Sequence, residues 1–160
     1  MPSKLFKNSL MSIRAVNVIY LMKEVIFLFE SMAFKRHISI HFSCDSEYIE
    51  IEYDEMQLKQ AFINFIKNAI EATATNGEIT INITKDCTIN MAKISISDTG
   101  CGMTNEEIEK LGTSFFTTKE NGTGLGIIVT YTIIKNHHGS IQVKSEKGQG
   151  STFTIQLPVK

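Results

Sequence analysis

Proline is almost absent. Its two occurrences, Pro2 and Pro158, stand at the chain ends, so nothing between them forces a helix or strand to break. Cysteine is scarce as well: Cys44, Cys87 and Cys101 are odd in number and have no CxxC spacing. That fits reduced thiols in a cytosolic protein better than a disulfide frame or a zinc site, and it makes the sequons Asn82-Ile-Thr and Asn121-Gly-Thr accidental. Charge of either sign is not in excess. With 16 Lys and Arg against 17 Asp and Glu, the net charge is -1, which argues against a nucleic acid or acidic lipid partner; an anionic ligand must be held locally. Long apolar runs are missing too. The densest, "VIFLF" from Val25 to Phe29, falls far short of the roughly 20 residues that span a bilayer. The chain therefore reads as cytoplasmic, with membrane anchoring left open for a longer protein that contains it. Its 160 residues suit one ordinary domain with a substantial core.

What is present is concentrated. Six of the ten glycines fall between Gly100 and Gly126. Apolar residues at helical spacing (Ile19, Leu21, Met22, Val25, Ile26, Leu28 and Phe29) predict a helix over Val18 to Lys35. Alternating runs predict strands at "ISIHFSC" (Ile38 to Cys44) and "YIEIEY" (Tyr48 to Tyr53). Asp54 reads as the N-cap of a long helix to about Thr75, with Leu58, Phe62, Phe65, Ile66 and Ala69 on its core side. The turn "TNGE" introduces two more strands, "ITINIT" and "AKISISDT". A short capped helix should start at Met103 to Glu107, and a polar loop should run from about Leu111 to Gly122. A further helix should begin near Leu125 and end at Gly139 as C-cap, before the closing hairpin "SIQVKSE" and "STFTIQLP". Strands paired in sequence with interleaved helices predict an α/β two-layer sandwich: a mixed, mostly antiparallel sheet against about three helices. The residues "KLFKNSLMSI" are open to a reading as the stub of a helix from a preceding domain.

Three stretches carry chemistry. In "NGTGLG", glycines at every second position let the backbone approach a ligand, and the following helix would aim free amides at phosphate oxygens. The GK[ST] ending of a P-loop is missing and no strand precedes, so by itself the stretch serves a flexible turn equally well. In "NFIKNAIEA", Asn64 and Asn68 are four apart and share a helix face with Glu71. A carboxamide oxygen suits a magnesium ion that keeps phosphate and water ligands, though a solvated polar stripe has the same spacing. In "SISDTGCGM", Asp98 closes a strand just before Gly100 and Gly102, where its carboxylate can accept from an exocyclic amine such as that of adenine; alone, Asp-Thr-Gly is also a common turn.

Taken in order, "NFIKNAIEA", "DTGCGM", "FFTTK" and "GTGLG" resemble the four sequence boxes of the sensor histidine kinase ATP-binding domain, in the GHKL superfamily with the gyrase and MutL ATPases. The resemblance runs from about Val16 to the closing "HHGSIQVKSEKGQGSTFTIQLP", and the wording is most similar to sporulation-type and nitrogen-regulatory kinases. It implies a stub over residues 1–12 and a catalytic domain over residues 13–160. It implies ATP and magnesium as cofactors, with Asn68 on the metal and Asn64 beside it on phosphate or a metal-bound water; these two are the catalytic residues. Asp98 would take the adenine amino group, with Gly100 and Gly102 opening the pocket and Ser151 or Thr152 holding a water there. Phe115 and Phe116 would anchor a lid, Lys119 would reach a phosphate, and Gly122, Thr123, Gly124, Leu125 and Gly126 would form the lid hinge and phosphate cradle.

The hydrolysing relatives carry a glutamate base four residues before the metal asparagine. Here that position is Asn64, which favours phosphoryl transfer by positioning and charge neutralisation. Glu71 stands where many kinases have a basic residue, leaving more phosphate charge to magnesium, the lid and Lys67. None of His37, His41, His137 and His138 lies in the family's phosphoacceptor context, and His137 and His138 suit the dipole at a helix C-terminus. The implied partners are thus a phosphoacceptor histidine domain of the same full-length kinase and a response regulator downstream. The rival readings are an anti-sigma-factor serine kinase of the same superfamily and an ATP-gated interaction module.

Overall fold

The alternation of apolar and polar residues decides the sheet. A computed structural model describes residues 12–111 and 125–160. In chain order these form β1 (Ile13–Asn17), α1 (Val18–Lys35), β2 (Ser39–Cys44), β3 (Glu50–Asp54), α2 (Glu55–Ala72), β4 (Glu78–Asp86), β5 (Met91–Asp98), α3 (Asn105–Lys110), α4 (Leu125–Asn136), β6 (Ser140–Glu146) and β7 (Gly150–Pro158). Five strands make one sheet in the order β2-β4-β5-β7-β6, antiparallel except for the parallel pair β2 and β4. That parallel pair needs a long crossover, which β3 and α2 supply.

One face of the sheet is apolar: Ile79, Ile81 and Ile83 of β4, Ala92, Ile94 and Ile96 of β5, and Ile155 and Leu157 of β7 are all buried. Their alternate neighbours, such as Thr80 and Lys93, face out. The helices cover the buried face with Val18, Leu21, Met22 and Val25 of α1, Leu58, Phe62, Phe65 and Ile66 of α2, and Ile133 and Ile134 of α4. Burying each of these larger side chains contributes about 1.5–3 kcal/mol. The predicted two-layer mixed sandwich is therefore what forms. No helix among the described residues is long and apolar enough to cross a membrane.

The structure departs from the sequence reading in four places. Strand β1 carries no signal in the sequence because Ile13, Arg14 and Ala15 are all exposed, so no period-two pattern exists to read. β2 and β3 do not pair with each other: β3 joins β1 in a separate two-stranded sheet, running from Ile13↔Asp54 to Asn17↔Glu50. Leu28, a member of the apolar set at helical spacing, does not lie on the buried side of α1 and is 57% exposed. Finally, α4 ends with His138 rather than Gly139 in the left-handed conformation (φ 62°), and the Gly139 amide bonds back to Ile134 O at 2.9 Å. Gly139 is small for a different reason: a Cβ there would lie 2.6 Å from Gln156 O of β7.

The ends of α2 are tied to the other elements. At its start Asp54 caps Gln57 N through Oδ1 (3.2 Å) and accepts from Ser12 N through Oδ2 (3.1 Å). At its end the Arg36 guanidinium, just past α1, donates to Ile70 O and Thr73 O, both at 2.7 Å. His137, past the end of α4, stacks on Tyr53 with centroids 3.5 Å apart. Its Nε2 accepts the Asp54 N–H (3.3 Å) while Nδ1 lies 2.7 Å from Ile133 O, which sets the neutral tautomer with the proton on Nδ1. The expected role at the helix C-terminus is thus played by a buried, uncharged imidazole.

Burial holds the His137 pKa below 6.5, against weaker opposing contributions from Ile133 O and Asp54. The unfolded chain then binds a proton that the folded chain refuses, so this part of the stability is full above pH 6.5 and is lost as pH falls through the lowered folded value. His137→Phe keeps the stacking but orphans the Asp54 N–H, at a cost of about 1–3 kcal/mol at pH 7.5. Urea midpoints should show the gap between wild type and variant narrowing toward pH 5; a gap that stays constant would count against the neutral assignment.

Candidate functional site: a carboxylate and an asparagine face beside helix α4

Asp98 ends β5 in a buried position where the ladder pairs it with Ile79 and Ser151. Its Oδ1 accepts from Gly100 N at 2.8 Å and from Ser151 N at 3.3 Å, which among the described residues leaves Oδ2 as the acceptor that faces a ligand. Burial raises its pKa, and the two amides, which favour the ionised form, pull it partly back.

The loop after Asp98 is sewn to three elements. Thr99 N donates to Glu78 O (3.1 Å), Cys101 N to Ala72 O (3.1 Å) and Met103 N to Ser145 Oγ (2.7 Å), while Cys101 O accepts from Gly148 N (2.7 Å). The glycines here serve contact of chain with chain. A Cβ on Gly100 would sit 2.4 Å from Ala72 O, and one on Gly102, whose φ is +66°, would sit 2.0 Å from Glu146 O. Thr104 and Glu107 then form a full capping box at α3, as the sequence predicts.

The two hydroxyls considered for the adenine water separate by face. Ser151 is the ladder partner of Asp98, whereas Thr152 pairs with Ser97 and its hydroxyl lies 2.7 Å from Ser97 Oγ. Successive side chains of a strand point to opposite faces, so Thr152 is on the wrong side of the sheet and only Ser151 accompanies Asp98. Ser151 Oγ is in turn 2.7 Å from Ser145 Oγ, across β6 and β7. Ser145 escaped the sequence reading because its signal is a register between strands, not a motif.

On α2, Asn64 and Asn68 share a face as expected, and the same face continues to Ala72, whose carbonyl meets the Asp98 loop. Asn64 reaches the other way: its Nδ2 donates to Gly126 O at 3.3 Å and to Thr130 Oγ1 at 3.1 Å, both on α4. Leu125 begins α4, as predicted. Phe115, Phe116, Lys119, Gly122, Thr123 and Gly124 lie outside the described residues. A separate apolar depression of about 390 Å³, lined by Tyr20, Phe27, Leu28 and the Lys59 stem among others, contains none of the predicted site residues.

This arrangement joins a buried acceptor at one end of an amide-bearing helix to a second helix N-terminus at the other. The family model for histidine kinase-, DNA gyrase B- and HSP90-like ATPases matches residues 53–160. The chain belongs to this ATPase family. Sporulation kinase C of Bacillus subtilis is 47% identical over 110 residues, 69% of this chain and 25% of that protein. The nucleotide-free catalytic domain of histidine kinase ThkA is 35% identical and superposes with a TM-score of 0.84 over 92% of this chain and 96% of that one. Full-length ShkA in complex with AMPPNP is 26% identical, with a TM-score of 0.83 over 93% of this chain and 31% of that one. The fold of this ATPase-family chain is thus that of histidine kinase catalytic domains. The chain spans about a fifth to a third of the length of the curated relatives it matches.

Asp98→Asn tests the carboxylate. An asparagine Oδ1 can keep both backbone bonds, while Nδ2 replaces the acceptor Oδ2 with a donor. Because burial raises the Asp98 pKa, ionising it costs folding free energy as pH rises through and above the carboxylate range. At pH 7.5 the variant should therefore melt no lower than wild type yet lose adenine nucleotide binding. Calorimetry of both properties checks this, and a variant that unfolds early but still binds would reverse the assignment.

Proposed function

We propose that this chain is the ATP-binding catalytic domain of a two-component sensor histidine kinase akin to the sporulation kinases. It transfers the γ-phosphoryl group of magnesium-ATP to a histidine on a separate dimerisation and phosphoacceptor domain of the same kinase, working on the cytoplasmic side. A response regulator then receives the phosphoryl group. The observation that carries this reading is Asp98: a buried carboxylate with one oxygen held by two backbone amides and the other available to the amino group of adenine.

From that anchor the nucleotide runs along the polar face of α2. Eight residues separate Ala72, which touches the Asp98 loop, from Asn64, which touches α4; at 1.5 Å per residue this is about 12 Å of helix. The phosphates then lie toward Asn68, Asn64 and the first turn of α4, where the positive end of the helix dipole favours negative charge.

Among the described residues no group of three or more His, Cys, Asp or Glu side chains is placed to hold a metal. The amide of Asn68 fits magnesium, which keeps water and takes substrate phosphate oxygens in place of an all-protein cage. When bound, the ion neutralises charge on the phosphate oxygens. Asn64 offers no base, consistent with transfer to an acceptor over activation of water.

The four histidines do not suit the acceptor role. His137 is buried and stacked; His37 and His138 sit in left-handed helix-end positions; His41 faces out from β2 beside Glu78. The solved complex of histidine kinase ThkA with response regulator TrrA, whose kinase chain is 30% identical with a TM-score of 0.80, supports the downstream partner.

The test is incubation with γ-labelled ATP and magnesium, with and without a purified phosphoacceptor domain of a sporulation kinase. The expected product is acid-labile, base-stable phosphate on the added domain and none on this chain. Acid-stable label on a serine, or binding without any transfer, would refute the reading. Asn68→Ala should lower transfer by about tenfold to a hundredfold, the scale seen when metal-site partners are removed.

A further inference from the structure

Resting on the reading above, we propose that Thr130 is a positioning residue for the triphosphate, acting through Asn64. The Thr130 side chain is fully buried, although it belongs to the middle of a helix that needs no hydroxyl for its own backbone bonds. Its Oγ1 is one of two acceptors for Asn64 Nδ2, at 3.1 Å; the other, Gly126 O at 3.3 Å, is four residues earlier, one turn up the same helix. A carbonyl can only accept, so the amide nitrogen of Asn64 must face α4. Its Oδ1 in turn accepts from Gln60 Nε2 at 3.0 Å. The carboxamide is thereby held on both sides, its oxygen by Gln60 and its nitrogen by two acceptors of α4.

The consequence is a register. Two acceptors from residues four apart on α4 converge on one amide nitrogen of α2, so rotating or sliding α4 against α2 breaks these bonds. What this fixes is the first turn of α4, whose N–H groups have no partner within the helix. A Cβ on Gly126 would lie 3.9 Å from Asn64 Cγ, which shows how directly that turn faces the asparagine. Thr130 therefore sets where the phosphate-facing amides point. It would not touch adenine, whose anchor at Asp98 belongs to β5 and the β7 ladder.

This separation supplies the test. Binding of magnesium-ATP and of adenosine is measured on the intact 160-residue chain by calorimetry for wild type, Thr130→Val and Thr130→Ser. Valine keeps the shape and removes the acceptor; serine keeps the hydroxyl. The expected result is an ATP affinity about tenfold weaker for Thr130→Val, the scale of one lost hydrogen bond, with adenosine affinity unchanged and serine close to wild type. Equal ATP affinity in all three overturns the proposal. So does a Thr130→Val loss shared equally by ATP and adenosine, which would mark Thr130 as structural only. If the valine variant does not fold, Thr130→Ala, a better helix former, replaces it with the same expectations. Wild type that binds no ATP at all refutes instead the functional reading on which this rests.

Discussion

Asp54 ties four elements with one residue. Its carboxylate takes the Ser12 amide ahead of β1 and the Gln57 amide of α2, and its own N–H passes to His137 beyond α4. The small β1–β3 sheet, the start of the asparagine helix and the end of α4 are thereby fixed to one point. A capping aspartate alone is worth about 0.5–2 kcal/mol. Here the same group also sets the origin from which Asn64 and Asn68 are measured, since a helix of fixed rise transmits the position of its first residue to every later one.

The far end of α2 is held by different chemistry. Arg36 donates to two terminal carbonyls, Thr73 O and Ile70 O, the second of which also accepts the Thr73 N–H, and Cys101 takes the carbonyl of Ala72. The helix is clamped between its cap and the loop that presents Asp98, so the carboxylate and the amides belong to one rigid frame. Asp98 itself is a cost to folding, a buried acid whose charge is only partly offset by two amides. A perturbed carboxylate of this kind, at a strand end beside a serine pair, marks a candidate site on physical grounds.

Much of this was legible before any coordinates. Helix α1 runs over the predicted Val18–Lys35, β6 over the predicted Ser140–Glu146, and Asp54 caps α2 as read from its type and place. These succeed because capping and hydrophobic period are local. The exposed β1 carried no period to detect, and the separation of β2 from β3 depends on which edge each strand finds, a choice that no local pattern encodes.

The site divides along the same line. Residue types and their spacing determined Asn64, Asn68 and Asp98 as the polar groups to watch, because helical period places the first two together and a strand followed by glycines isolates the third. The choice of Ser151 over Thr152 came only from the ladder, since two adjacent residues differ in face and not in chemistry. The same holds for Thr130 and His137: nothing in "IIVTYTIIKNHH" marks a threonine that meets an amide 66 residues away, or an imidazole that meets a cap 83 residues away. Chemistry is written in the chain, but partnership between distant groups exists only after the sheet has chosen its neighbours and the helices have packed on it.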